Sequence, residues 1–203
     1  MLFVAYAGLH SLLASAWAKR QAARWLGQRQ RNGLYRGFFV AQATLLFAVA
    51  TAAFLRLPDR TLYRVGPPWS WLMHLAQVAG IGLMLAAGRV VGLTRISGLG
   101  PLHAWLTGDV PLAEPGAQGP PLGPDGELRL DGPFRFTRHP ANWGPLPTVL
   151  LFPHMTVNRA VLAGLSVAYL VLGSVHEELR LRAAYGEAYD RYRARVPFLV
   201  PPV

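Results

Sequence analysis

The stretch Gly37–Leu55, GFFVAQATLLFAVATAAFL, carries no formal charge from end to end. At about 1.5 Å of rise per residue, a helix of this length reaches close to the roughly 30 Å thickness of a bilayer's hydrocarbon core. A soluble fold would have to surround it with core on every side. The rest of the chain lacks the polar residues for that: of 203 residues, 52% are hydrophobic and only 15% charged. Lipid is therefore part of the solvent for this chain.

Four further apolar stretches accompany it: Met1 to about Trp17, Trp69–Gly88, Trp143–Phe152 and about Val161–Val175. Together they predict an all-α polytopic membrane protein with about five transmembrane segments. The first contains Ala14-Ser15-Ala16, which looks like a cleavage site, but no basic residue precedes the run, so it reads as a retained membrane helix. The fourth is short: about ten residues give about 15 Å, half the hydrocarbon thickness. Pro145 and Pro147 also remove backbone donors there. It reads as one arm of a helical hairpin that turns at Phe152-Pro153-His154 and returns through the fifth segment. Such irregular backbone must be buried in protein or line a polar cavity.

The charges set orientation. The net charge is +10, from 20 Lys+Arg against 10 Asp+Glu. They flank the apolar runs and form no single stripe, which argues against a nucleic-acid partner and for a bilayer with anionic headgroups. Placing the N-terminus outside and the C-terminus in the cytoplasm puts 16 of the 20 basic residues inside; the reverse puts 4 there. The absence of cysteine excludes disulfide scaffolds, thiolate metal sites and cysteine nucleophiles.

The expected organisation is a single membrane domain over 1–203. Residues 1–93 carry three N-terminal membrane helices, 94–137 form a cytoplasmic loop rich in Gly and Pro, and 138–203 form the hairpin and a C-terminal helix. Within the loop, residues 108–126 predict an irregular, mobile segment, and ELRLDGPFRF predicts a short hairpin turning at Asp131-Gly132. In the tail, Tyr185, Tyr189 and Tyr192 recur at helical spacing, and Pro197 ends the run. This predicts an amphipathic interfacial helix whose tyrosines serve as packing and interface anchors.

Two polar clusters bracket the expected hairpin: Arg138-His139-Pro140 before it and His176-Glu177-Glu178 after it. Each has an unremarkable reading. Arg138 can snorkel to lipid phosphate, Pro140 can begin a helix, and the two glutamates can be solvated residues of a surface helix. Adjacent carboxylates within a turn of a membrane span nevertheless call for a basic partner, and Arg138 or His139 supplies one. The histidines show no HxxxH or HExxH spacing, so no metal is expected. His10, beside Ser11, and His74 read as hydrogen-bonded structural residues.

The ordered run GPFRFTRHPANWG, an apolar hairpin, then HEELRLRAAYGEAYDRYRARVP resembles the isoprenylcysteine carboxyl methyltransferase-like superfamily of integral membrane enzymes. That family's pattern is GPYRxxRHPxYxG, then EE, a GxxYxxY stretch and VP. The turn FPHMTVNR, together with His10-Ser11, Lys19, Tyr35-Arg36 and Phe38-Phe39, is similar to the branch of methanethiol S-methyltransferases and NnrU proteins. The resemblance is strong over 132–203 and weak over 1–105.

The resemblance implies an S-adenosylmethionine-dependent methyltransferase with its cofactor on the cytoplasmic side and a small or lipophilic methyl acceptor, a thiol or carboxylate. It implies Arg138 and Glu178 as catalytic residues. The implied cofactor residues are Arg138, His139, Pro140, Asn142, Trp143, Gly144, Glu177, Glu178 and Tyr189, with His10 and Tyr35 toward the acceptor. The family's tyrosine after RHP is Asn142 here, a departure that touches the cofactor contacts directly. Two other functions stay open: a non-catalytic NnrU-like accessory protein, and an NADPH-dependent reductase of the same superfamily.

Overall fold

A computed structural model describes residues 2–114 and 118–199. The described chain is mostly helical. Among the described residues three helices are long and apolar enough to cross a membrane: α3 (Gln28–Leu55), α4 (Trp69–Val91) and α9 (Val157–Tyr185). The chain divides into two compact units. One holds α1 (Leu2–Ala14), α2 (Ala16–Leu26), α3, α5 (Leu93–Ser97) and α6 (Leu99–Leu106). The other holds β1 (Thr61–Arg64), α4, α7 (Pro140–Trp143), α8 (Leu146–Leu150), β2 (His154–Thr156), α9 and α10 (Glu187–Arg195).

In the first unit the expected first span is shorter than its apolar run. α1 ends at Ala14 because Ser15 turns to extended backbone and its hydroxyl accepts the Ala18 N–H at 3.2 Å, capping α2. α3 starts well before its charge-free stretch. Its polar first turns tie down the chain that follows α4: Arg29 donates to the Trp105 carbonyl, Asn32 to that of Pro111, and Arg36 Nε to that of Ile96 at 2.6 Å. α3 packs most closely on α6, and Gly33 permits it. A Cβ there would stand 2.6 Å from Trp105 Cβ, closer than side-chain carbons can approach. The Gly/Pro-rich region therefore opens with two short helices. Its described irregular part is anchored by Glu114, which pairs with Lys19 at 2.8 Å and Arg36 at 3.1 Å. Residues 115–117 of the expected loop lie outside the described residues.

The second unit has two ends. At one, β1 and β2 pair antiparallel (Thr61↔Thr156, Tyr63↔Met155, Arg64↔His154) with an irregularity between Thr61 and Tyr63. Thr156 caps α9 by accepting the Arg159 N–H, and Asp59 accepts the Asn158 N–H at 3.0 Å. At the other end, Leu128, Leu181, Tyr189, Tyr192 and Val196 form a buried core where the end of α9 meets α10.

Between these ends the fourth apolar run is broken. α7 and α8 are separated by Gly144-Pro145, and both pack on α4 and α9. The contact with α4 is made backbone to backbone. A Cβ on Gly80 would stand 2.3 Å from the Gly144 carbonyl oxygen, and one on Gly144 would stand 2.5 Å from that of Gly80.

Two local expectations are corrected. The hairpin turns at Asp125-Gly126, where Gly126 takes φ 75°, and it is closed by a bridge between Leu122 and Leu128. Asp131-Gly132 instead leads into a 3-10 turn, Gly132–Arg135. Both dipeptides carry the same turn chemistry, but the second is followed by Pro133, which has no N–H to offer a ladder. The tail is also two helices, because α9 runs unbroken through the glutamates to Tyr185 and Gly186 at φ 56° separates it from α10.

Candidate functional site

The two polar clusters meet where the end of α9 packs beside α7 and α10. α9 carries Glu177 and Glu178, and the turn preceding α7 carries Arg138 and His139. Arg138 Nε donates to Glu178 Oε1 at 2.9 Å, and its Nη1 donates to the carbonyls of Arg193 at 3.0 Å and Val196 at 2.8 Å. The Arg138 N–H donates to the Pro197 carbonyl, Thr137 Oγ1 to that of Phe198, and the Tyr192 hydroxyl to that of Phe134. The segment 196–198 is thus sewn onto the Arg-His-Pro turn, with Phe198 edge-on to the His139 ring at 5.0 Å.

His139 is almost fully buried and sits between both carboxylates. Its Nδ1 lies 3.2 Å from Glu177 Oε2, and its Nε2 lies 2.8 Å from Glu178 Oε1. Carboxylates only accept, so a ring that satisfies both must donate from both nitrogens. Tyr189, fully buried, donates its hydroxyl to Glu178 Oε1 at 2.5 Å. Burial pushes the Tyr189 hydroxyl's pKa well up, and the neighbouring Glu178 carboxylate adds to the shift. Tyr192 is pushed up by burial as well, against the opposing charge of Arg138. Both phenols stay protonated as donors.

The two glutamates differ. Glu178 Oε1 takes donors from Arg138, His139 and Tyr189, and Arg193 lies 3.7 Å from its Oε2. It is the hub that holds the turn, α9 and α10 together. Glu177 is more exposed, with 26% of its side chain accessible against 13% for Glu178. Its Oε2 is engaged by His139 and by Asn142 Nδ2 at 3.4 Å, and its Oε1 has no partner among the described residues. His176 points outward and joins neither.

Of the residues expected at the site, Arg138, His139, Asn142, Glu177, Glu178 and Tyr189 form one connected network. Trp143 sits beside it with its indole Nε1 buried and without a hydrogen-bond partner among the described residues. Pro140 and Gly144 are buried, Pro140 as the first residue of α7 and Gly144 against Gly80. His10 and Tyr35 belong to the other unit. There His10 stacks near Phe39 at 4.9 Å, and the Tyr35 hydroxyl donates to the Leu13 carbonyl at 2.7 Å. Sequence reading missed Ser174, which is fully buried and accepts Asn142 Nδ2 at 2.8 Å. Its signal was present: a polar residue in an apolar run, one helical turn before Glu177.

No family model matches the chain, and no solved structure matches it. Curated relatives do match. A methanethiol S-methyltransferase of Crocosphaera subtropica is 35% identical over 68 residues, 34% of this chain and 27% of that protein. One of Pseudomonas deceptionensis is 35% identical over 77 residues, 38% of this chain and 29% of that protein. A third, from another Pseudomonas, aligns with 99% of this chain at 27% identity and covers 71% of that protein. The matched part is thus little more than a quarter of the length of the first two relatives. These likenesses agree with the ordered motifs: the chain is similar to the methanethiol S-methyltransferases, which are members of the isoprenylcysteine carboxyl methyltransferase-like group.

Proposed function

We propose that this protein is an integral membrane methyltransferase that uses S-adenosylmethionine, bound on the cytoplasmic side, to methylate a small or lipophilic acceptor, a thiol or a carboxylate. The observation that carries the reading is the meeting of Arg138-His139 with Glu177-Glu178 at distances of 2.8–3.2 Å, because it converts a sequence motif into one physical site.

The residues present fit such a cofactor. Its amino-acid end carries an ammonium and a carboxylate, and its nucleoside carries hydroxyls and ring nitrogens. The unengaged oxygen of Glu177 is an acceptor for the ammonium, and the unpaired indole N–H of Trp143 is a donor awaiting an acceptor. Arg138 keeps a guanidinium Nη2 outside its described bonds for a carboxylate. When bound, the cofactor supplies an activated methyl group. Glu178 orients Arg138 and His139, so it acts as a positioning residue. Methyl transfer to a thiol or carboxylate asks for in-line placement and water exclusion more than for a strong base, and a site with few titrating groups suffices.

The layout supports a cytoplasmic site. Along α9, Val157 adjoins the β1–β2 sheet, and Glu178 lies 21 residues on, about 31 Å at 1.5 Å each, the thickness of the hydrocarbon core. The sheet joins the Arg56–Pro68 and Pro153–Arg159 connections, the two that the basic-residue count puts outside. A five-pass arrangement, with α7–α8 and α9 as the returning pair and 138–203 as the cofactor-binding region, follows from that count and from the contact of α8 with α9. His10 and Tyr35 remain the acceptor residues implied by resemblance, and this reading does not depend on them.

A second reading, a non-catalytic NnrU-like accessory protein, is favoured by one observation: Arg138 spends its Nε on Glu178 and its Nη1 on the carbonyls of Arg193 and Val196, which is the role of a structural arginine. Titration of the detergent-purified protein with S-adenosylhomocysteine separates the two. The methyltransferase binds it at concentrations on the order of micromolar to sub-millimolar and, given methyl-labelled S-adenosylmethionine instead, transfers the labelled methyl to a small thiol and releases S-adenosylhomocysteine. No binding at millimolar ligand overturns the first reading and selects the second. Tight NADPH binding in its place selects the reductase of the same superfamily.

A further inference from the structure

Asn142 stands where the family motif has the tyrosine after RHP, and its surroundings demand an amide. Ser174 Oγ spends its proton on the Leu170 carbonyl at 2.8 Å, as buried helical serines do, so toward Asn142 it can only accept. Glu177 Oε2 is a carboxylate oxygen and also only accepts. Both lie on one side of Asn142, at 2.8 and 3.4 Å from Nδ2. Two acceptors require two N–H donors on one atom. Among uncharged side chains only the amide of Asn or Gln supplies them, and a tyrosine hydroxyl has a single proton.

We infer that Asn142 and Ser174 form a positioning pair that fixes Glu177, not Glu178, as the carboxylate that receives the ammonium end of the ligand. Ser174 is fully buried on α9 and pins the amide. The amide and His139 Nδ1 then hold Glu177 Oε2 from two directions. With that oxygen fixed, rotation of the carboxylate is removed, and Oε1 is left pointing away from its protein partners. Glu178 Oε1 already takes three donors, and its Oε2 faces the Arg193 guanidinium at 3.7 Å, so a cation already stands where a ligand's ammonium would go. This inference rests on the proposed methyltransferase reading.

The test compares wild type with Asn142→Asp, which keeps the shape but loses both donors and sets a second carboxylate against Glu177, and with Ser174→Ala, which removes only the anchor. Each is titrated in detergent with S-adenosylhomocysteine and with the same compound lacking its α-amino group. N142D is expected to bind S-adenosylhomocysteine at least about tenfold more weakly, and S174A about three- to tenfold more weakly. Both differences should vanish for the deaminated compound, which a merely structural role would not produce. If N142D fails to fold, S174A carries the comparison alone. Wild-type binding that both variants share within about twofold overturns this inference and leaves the enzyme reading intact. Absence of wild-type binding overturns both.

Discussion

Two carboxylates among the described residues are each gripped by more than one basic side chain. Glu114 is held by Lys19 and Arg36, and Glu178 by Arg138 and His139 with Arg193 at 3.7 Å; the two glutamate side chains are equally accessible, at 13%. Around Glu114 each oxygen has one cation, Oε2 with Lys19 and Oε1 with Arg36, and the account closes. Around Glu178 it does not. A second carboxylate, Glu177, is joined to it through His139 and has one oxygen without a partner among the described residues. An acceptor left over beside a satisfied ion pair is what separates a site from a staple. The first cluster ties a loop to helices. The second ties helices together and still has hydrogen-bonding capacity for something else.

The comparison breaks most visibly at Arg138. Arg138→Ala leaves Glu178 buried with one cation fewer and frees the carbonyls of Arg193 and Val196 as well. Removing one partner of a buried pair costs about 3–5 kcal/mol. Thermal unfolding in detergent should show that loss together with loss of S-adenosylhomocysteine binding. A variant that stays as stable as wild type would mean that the hub is solvated after all, like an ordinary surface ion pair.

A packing change sharpens the same contrast without touching a charge. Gly144→Ala places a methyl 2.5 Å from the Gly80 carbonyl and 2.7 Å from Met84 Cβ, so α7 must move off α4. Overpacking of this kind costs about 1–3 kcal/mol. Because Asn142 and Trp143 ride on α7, ligand binding should fall by more than the loss of stability explains, measured by titration beside a melting curve. Equal binding in G144A would show that the site tolerates displacement of α7 and is no preorganised pocket.

Sequence reading reached the second unit better than the first, for physical reasons. The long apolar runs at Gly37–Leu55, Trp69–Gly88 and Val161–Val175 became α3, α4 and α9, since absence of charge over that length has few other solutions. The pairing of Arg138-His139 with Glu177-Glu178 was legible because stranded carboxylates beside a membrane need cations. The break within α7–α8 was marked by its prolines, but its packing through Gly80 and Gly144 was not, because two glycines far apart in the chain announce nothing about facing each other. Tyr189 and Tyr192 read as packing and interface anchors, and they are packing residues of the core. Their spacing fits either face of a helix, and only the contacts with Leu128 and Leu181 decide it. Glu114 was invisible as a partner: a lone acid in a Gly/Pro-rich stretch carries no pattern until Lys19 and Arg36 are folded near it.

The smallest effect belongs to that acid, and its sign is fixed. Burial alone would raise the Glu114 pKa. The hydrogen bond from Lys19 and the charges of Lys19, Arg36 and Arg31 outweigh burial and hold the carboxyl below its ordinary range. A group whose folded pKa lies below its unfolded value stabilises the fold above the unfolded pKa, and that stabilisation disappears as pH falls through the folded one. Glu114→Gln should therefore lower the melting temperature at neutral pH by an amount matching about 1 kcal/mol, allowing for partial exposure. The gap from wild type should close as the solution is acidified through and below the usual carboxylate range. Melting curves of both proteins across that window provide the check. A gap that persists in acid would mean that Glu114 acts through the shape of its hydrogen bonds and not through charge. The closed cluster would then be held together by the same kind of bond as the open one.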